Sequence, residues 1–189
     1  MALYGGSINS KAQSLVIESA ISSRSVQFRA FLNDLSQTFA SNWQTEDVYG
    51  RHDPIATFSS TKRTISLSWD VPAADVEQAK KNLENCNTLV SMAYPSYIKT
   101  KVSEMGVIAK NPLVFVKFGN LVSDSNDGPL LGWMDSISWK PVLDMGMFNP
   151  SGGKFYPKVI SLSFNLNVLH QEQLGQQSGT SQPFPFKIN

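Results

Sequence analysis

The chain has 189 residues, of which 41% are hydrophobic and only 16% are charged, and its formal net charge is +1. This length suits one domain with a substantial core, and the near-neutral charge excludes binding to nucleic acid or acidic membranes driven by bulk electrostatics. The single cysteine, Cys86, excludes an internal disulfide bond and a cysteine cluster for zinc or iron–sulfur.

The start of the sequence has no charged leader followed by an apolar run, and no apolar stretch approaches the roughly 18 residues of a membrane helix. Synthesis in the cytoplasm is therefore expected. Residues 1–24 are rich in Ser and Gly and are predicted to form an N-terminal arm, although Leu15-Val16-Ile17 fits either a short strand or a helical turn.

Alternation of apolar and polar residues predicts several strands in the main domain, which is expected to span residues 25–170. One half-buried strand begins at Ser25 and continues through Leu35 toward Trp43. Two cleaner strands are predicted at 64–71 and 158–170. Their polar faces carry the following residues: Thr64, Ser66 and Ser68 on the first, and Ser161, Ser163 and Asn165 on the second.

Two further strands are predicted at 113–120 and 130–141. In the second of these, Trp133 and Trp139 share a register with Leu131, so this tryptophan pair is predicted to lie in the core. The cluster at 123–129 is typical of a turn, because the ligand pattern of a calcium loop is not completed there.

The period changes after Pro72, where apolar residues recur at spacings of three and four and predict a helix at about 73–93. Cys86 lies on the apolar stripe of this helix, which favours a buried core position over a nucleophile. Residues 96–112 are predicted to be an irregular linker. The segment 171–189 is predicted to be an extended tail, in which Phe184 and Phe186 are candidate anchors on a partner.

The predicted elements give a mainly β fold with one flanking α-helix. Their order does not alternate as in a parallel α/β sheet, so the strands are expected to be antiparallel. The two forms that fit are a closed or nearly closed barrel and two packed sheets, with the helix outside.

The segment 42–70 has the composition of a binding loop followed by a strand. Trp43 and Tyr49 are of the type enriched at interface hot spots. Arg51 and Asp53 are spaced to pair with each other or across a subunit boundary. These four residues are therefore predicted to form a subunit interface, and a loop made rigid for its own sake is the alternative.

No catalytic, phosphate-binding, dinucleotide or metal-binding motif is present in the sequence. His52 and Asp53 could join one of many serines in a hydrolase-like group, but serine is so common here that the coincidence carries little weight. The protein is therefore predicted not to be an enzyme, and to need no cofactor or metal.

The sequence resembles the tail-tube-like baseplate proteins of contractile-tailed phages, which include tube initiators and tube adaptors. The likeness covers roughly residues 27–170. In chain order, the segments that carry it are 41–43 (SNW), 46–51 (EDVYGR), 53–55 (DPI), 64–69 (TISLSW), 79–97 (AKKNLENCNTLVSMAYPSY), 116–121 (VKFGNL), 129–135 (PLLGWMD), 155–158 (FYPK) and 168–170 (VLH).

The resemblance implies a tail-tube fold, an antiparallel β-barrel or sandwich with a flanking helix. It implies a structural protein of the virion tail baseplate, made in the host cytoplasm, whose six copies form a ring. That ring would join the central hub to the tail tube, or to a second tube-like adaptor, and would initiate tube polymerisation. Wedge proteins are a further implied partner, and double-stranded DNA would pass through the lumen without specific binding.

The polar strand faces of residues 64–68 and 161–165 are candidate channel linings under this resemblance, although faces of this kind more commonly meet bulk solvent. The alternative function is a ligand- or carbohydrate-binding β-sandwich. That function requires several aromatic residues to converge on one exposed patch: Trp43, Tyr49, Trp133 and Trp139.

Overall fold

A computed structural model describes residues 14–29, 31–100, 103–124, 127–149, 153–171 and 174. Its elements, in chain order, are β1 (Leu15–Ser19), β2 (Ser25–Phe28), β3 (Phe31–Glu46), β4 (Ile55–Pro72), α1 (Val76–Ser91), β5 (Ser96–Thr100), β6 (Ser103–Lys110), β7 (Val114–Lys117), β8 (Leu130–Pro141), β9 (Met147–Phe148), β10 (Tyr156–Pro157) and β11 (Val159–Val168).

One seven-stranded antiparallel sheet dominates the fold, with the strand order β2-β1-β7-β8-β11-β4-β3. The prediction of a mainly β fold with one helix is confirmed. The sheet is not a closed barrel, which was one of the forms that the sequence left open. Its two edges, β2 and β3, do not pair with each other in the described part of the chain.

The sheet is nevertheless strongly curled, as its two edge strands are consecutive in sequence. Phe28 ends β2 and Phe31 begins β3, so their Cα atoms are at most about 11 Å apart. In a flat sheet of seven strands the edges would lie about 29 Å apart. The ring of Phe28 also packs on Trp69 of β4, with centroids 5.7 Å apart. The curl therefore wraps the sheet around its own core without pairing its edges.

The core is formed by the inward faces of the curled sheet. Odd-numbered residues of β4 pair with even-numbered residues of β11, so the apolar sides of both strands face the same way. Trp69 is fully buried at the centre, where its ring also packs edge-on against Phe164 at 5.5 Å. The two clean alternating patterns of the sequence correspond to these central strands.

Helix α1 lies within the predicted range 73–93 and follows the end of β4. Asp75 is its N-cap, and its Oδ1 atom accepts a hydrogen bond of 2.7 Å from the Gln78 amide. Nδ2 of Asn82 donates to the carbonyl oxygen of Pro72 at 3.1 Å, which ties the helix to the end of β4. Cys86 is buried on the face toward the core. Among the described residues, no helix is long and apolar enough to cross a membrane.

Three segments differ from the sequence-based predictions. Part of the predicted N-terminal arm forms β1, which lies inside the sheet between β2 and β7 with Leu15 and Ile17 fully buried. The strand predicted from Ser25 toward Trp43 breaks after Phe28, because its two parts lie on opposite edges of the sheet. The predicted linker 96–112 contains the ribbon β5–β6, whose two register shifts obscure any regular alternation.

A bulge in β8 overturns the prediction for the two tryptophans of that strand. Asp135 pairs with Asn165 and Ser138 pairs with Ser163, so β8 has one extra residue at this point. Ser136 there has a φ of 54°. Because one extra residue reverses the alternation, Trp133 and Trp139 lie on opposite faces. They are 44% and 42% exposed, so the prediction that both are core residues is wrong.

Candidate assembly surfaces

The hairpin of β3 and β4 extends well beyond the rest of the sheet. The two strands pair continuously, apart from two register shifts, from Phe31–Asp70 to Glu46–Ile55. The neighbouring strand β11 pairs with β4 only from Pro72 as far as Thr64. Eight residue pairs, or roughly 25 Å of ribbon, therefore have no third strand among the described residues. An isolated two-stranded ribbon is at best marginally stable in water, so this hairpin arm is a candidate for contact with another chain.

Aromatic side chains are exposed along the hairpin arm. Trp43 is 57% exposed and Phe58 is 51% exposed, and their rings pack edge-to-face with centroids 5.4 Å apart. A register shift between Asn42 and Trp43 leaves Ser59 as an extra residue of β4, which brings Phe58 directly opposite Trp43. The arm thus presents a paired aromatic surface that the described part of the chain leaves largely uncovered.

The tip of the arm is a tight turn. The Arg51 amide donates to the Val48 carbonyl at 3.2 Å, and Gly50 has a φ of 84°. This positive φ is what the third position of a type II turn requires, and glycine adopts it without strain. Tyr49, at the second position, is fully exposed.

The charged candidate residues of the tip also point to solvent. Arg51 and Asp53 are exposed, and the described residues contain no ion pair between them. Of the two pairings that the sequence left open, the one within a single chain is therefore not formed. His52 is exposed beside them, and no group of three His, Cys, Asp or Glu residues able to hold a metal is found in the described part of the chain.

A cluster of contacts around the buried Arg63 fixes the arm where it leaves the core. Arg63 is only 2% exposed, and its Nε and Nη2 atoms donate to Oε1 of Gln37 at 3.1 and 2.7 Å. Gln37 in turn donates through Nε2 to the Leu121 carbonyl at 2.9 Å. The guanidinium also lies 5.5 Å from the centroid of the Phe39 ring. We call Gln37, Phe39, Arg63 and Leu121 the root cluster.

Asp124 and His170 are electrostatically coupled to Arg63 of the root cluster. Burial lowers the pKa of Arg63, and the Asp124 carboxylate opposes this shift. Burial and the charge of Arg63 both lower the pKa of His170, again opposed by Asp124. This cluster was not predicted from the sequence. One feature of the sequence could have indicated a buried charge: Arg63 continues the alternation of the apolar residues Ile65 and Leu67.

The six predicted channel-lining residues lie on two paired strands. β4 and β11 are neighbours, so the polar faces of Thr64, Ser66, Ser68, Ser161, Ser163 and Asn165 form one continuous strip on the side away from the core. Ser66 donates to Oδ1 of Asn165 at 2.8 Å, and Thr64 donates to Oδ1 of Asn167 at 3.2 Å. Asp34 of β3 and Asp135 of β8 lie on the flanking strands of the same face. This polar strip is half-buried between its neighbours.

An apolar groove of about 590 Å³ lies beside the helix. Its walls include Leu83 and Val90 of α1, Trp139 of β8 and Tyr156 of β10. Nζ of Lys80 lies 5.6 Å from the centroid of the Tyr156 ring. The groove was not predicted from the sequence. Trp139 lies on the helix side of the sheet only because of the bulge in β8, which the local sequence pattern does not reveal.

Cys86 lies in the wall of this groove and is predicted to be unreactive in the folded protein. Burial raises the pKa of its thiol to about 11, although a hydrogen bond with Trp139 acts in the opposite direction. At pH 8 the folded protein should react with iodoacetamide about 100-fold more slowly than the chain in concentrated guanidinium chloride, since the thiolate is the reactive form. Intact-protein mass spectrometry measures both rates, and equal rates would contradict burial of this thiol.

The remaining candidate residues do not form a single site. Trp43 and Tyr49 belong to the hairpin arm, whereas Trp133 and Trp139 lie on opposite faces of β8. The four aromatic residues that a carbohydrate-binding platform requires therefore do not converge. Phe184 and Phe186 lie outside the described residues.

No model of a known protein family matches the sequence, and a comparison with curated proteins finds no match. Among solved structures, the chain aligns with one from a cryo-EM structure of the anti-feeding prophage (AFP) baseplate, 6-fold symmetrised, at 8% sequence identity and a TM-score of 0.32. The alignment covers 84% of this chain and 89% of that chain.

Proposed function

We propose that this protein is a structural, non-catalytic subunit of a contractile-tail baseplate in a virion. Six copies form a ring that joins the central hub to the tail tube and initiates tube polymerisation. The observation that carries the proposal is the hairpin arm, a ribbon about 25 Å long whose aromatic residues are exposed among the residues that the structure describes. The sequence resemblance to tail-tube-like baseplate proteins supports the same role.

The sheet edges suit a ring of copies. β2 and β3 each have one side without a strand partner in the described residues. β3 is a long edge of 16 residues, and an uncovered edge of that length tends to pair with another chain. A contact between two different edges is head-to-tail, and repeated head-to-tail contacts close into a ring when the rotation between copies permits. The curled sheet can therefore form one segment of a larger, continuous wall.

The polar strip suits the inside of such a ring. Its hydroxyl and amide groups are neutral and are partly satisfied by one another, so they offer duplex DNA no strong binding site. The flanking strands of this face carry both signs of charge, Asp34 and Asp135 on one hand and Lys140, which pairs with Ser161, on the other, so the strip has no concentrated positive charge to hold phosphate groups. A lumen lined in this way lets DNA pass without being retained.

Mass photometry and negative-stain electron microscopy of the purified protein, alone and with its hub partner, test the proposal. We expect rings of six copies. Trp43→Ala and Arg51→Ala should each retain the far-ultraviolet circular dichroism spectrum but form far fewer rings, because both side chains are exposed on the arm.

Thr61→Ala is the matched control on the same ribbon, and its ring yield should be close to that of the wild type. A chain that stays monomeric both alone and with hub and tube proteins would refute the proposed function. Normal ring yield in both the Trp43 and Arg51 variants would exclude the arm as the contact that holds the ring together.

A further inference from the structure

The groove beside α1 is an apolar surface that the core does not cover. Leu83 and Val90 lie on the same helical stripe as the buried Cys86, at spacings of three and four, but are only half-buried. Together with Trp139 and Tyr156 they line a volume of about 590 Å³, which falls in the range of sites that bury a compact apolar group. Asn87 and Glu84 also line it and provide polar atoms at its margin.

The groove and the tip of the hairpin arm lie toward opposite ends of the same strand. β4 begins at Ile55 beside the tip and ends at Pro72, where Asn82 of α1 is hydrogen-bonded. These ends are separated by 17 residue steps, or roughly 55 Å along an extended strand. The tip of a chain therefore does not reach the groove of the same chain, whereas the tip of a second copy can do so in a head-to-tail contact.

The tip has the chemistry that the groove would accept. Tyr49 is fully exposed, and Val48 and Ile55 beside it are exposed apolar residues. A tyrosine ring suits an apolar groove with polar atoms at its margin, because its hydroxyl group keeps a hydrogen-bond partner.

Charge also favours the contact. Residues 45–54 of the tip contain three acidic side chains and one basic side chain, and the charged residues that line the groove are Lys80 and Glu84. The ammonium group of Lys80 lies over the Tyr156 ring, so an acidic side chain of the tip that enters beside Tyr156 meets an opposite charge, which orients the contact.

We infer that the groove of one copy binds the hairpin tip of the next copy, with Tyr49 entering between α1 and the side chains of Trp139 and Tyr156. This inference rests on the proposed ring and identifies the surface that receives the arm. The contact is heterologous, because the tip and the groove are different parts of each copy, and six such contacts satisfy the ring without leaving a free tip.

A disulfide cross-link between separate copies tests the inference. In a Cys86→Ser background, one preparation carries Tyr49→Cys and the other carries Asn87→Cys. Oxidation of the mixture should yield a covalent dimer, whereas each preparation alone should yield little. Thr61→Cys mixed with Asn87→Cys is the control, since Thr61 lies on the ribbon away from the tip. In addition, Tyr49→Ala should raise the protein concentration needed for assembly by about 30-fold.

The outcomes separate this inference from the proposed function. Rings that form normally in Tyr49→Ala, with no Tyr49–Asn87 cross-link, would overturn the groove assignment and leave the ring intact. Cross-linking of Asn87→Cys to Phe186→Cys in place of Tyr49→Cys would assign the groove to the C-terminal segment and would likewise overturn it. A chain that forms neither rings nor cross-links would overturn both the inference and the proposed function.

Discussion

Replacement of Trp69 by alanine is expected to lower the free energy of unfolding by about 3–5 kcal/mol. Trp69 is fully buried and packs against two other core rings, Phe28 at 5.7 Å and Phe164 at 5.5 Å. These rings come from β2 and β11, so the indole joins an edge strand to the centre of the curled sheet. Truncation leaves a large cavity and removes the contact that holds the curl. Urea unfolding followed by circular dichroism measures the loss.

Trp69→Phe is the matched variant and should cost much less. The indole Nε1 atom is buried and has no hydrogen-bond partner among the described residues, and a buried donor without a partner is itself unfavourable. Phenylalanine removes that donor and retains most of the aromatic contact. If Trp69→Ala lost less than about 1 kcal/mol, the site would be able to collapse around the cavity, and the central role of this side chain would be wrong.

The central strands could be predicted from sequence because each has one buried face. In β4 and β11 the alternation persists without interruption from Thr64 to Val71 and from Val159 to Val168. A shift of the strand pairing by one residue would move every apolar side chain of the strand into water, so the alternating pattern determines the register. Helix α1 was predictable for the same reason, through its stripe at spacings of three and four.

Single extra residues limited the prediction elsewhere. The bulge at Ser136 places Trp133 and Trp139 on opposite faces, and the extra residue Ser59 places Phe58 opposite Trp43. Such bulges depend on the neighbouring strand, which a local pattern does not reveal. The break after Phe28 was missed for a similar reason, because the two segments pair with different parts of the sheet.

The candidate surfaces were predictable only in part. The hairpin loop stood out in the sequence because its aromatic and charged residues are clustered between Trp43 and Asp53. The groove was not predictable, because Val90 and Trp139 come together only through the fold. The root cluster likewise joins Gln37, Arg63 and Leu121 across long sequence separations.

Arg63→Ala is expected to destabilise the protein by about 2–3 kcal/mol and to loosen the hairpin arm. The substitution removes both hydrogen bonds to Oε1 of Gln37 and the contact with the Phe39 ring. It leaves the Gln37 oxygen without these donors at a half-buried position. Gln37 also donates to the Leu121 carbonyl, so its loss of orientation weakens the connection between the arm and the loop after β7.

Limited trypsin digestion separates loosening of the arm from global unfolding. Lys62 pairs with Ala40 on the ribbon next to the root cluster, so cleavage after Lys62 should be much faster in Arg63→Ala than in a core variant of equal global stability. Arg63→Lys is the matched control. It retains the charge but lacks the planar fork that donates two bonds to one oxygen, so it should recover only part of the stability.

A double-mutant cycle with Gln37→Ala tests whether the two side chains act as a pair. If they do, the combined loss will be smaller than the sum of the single losses by about 1 kcal/mol or more. Additive losses, with unchanged cleavage after Lys62, would show that the root cluster does not fix the arm. A rigid root is what the proposed ring requires, since an arm that reaches a neighbouring copy binds more tightly when its direction is set before contact.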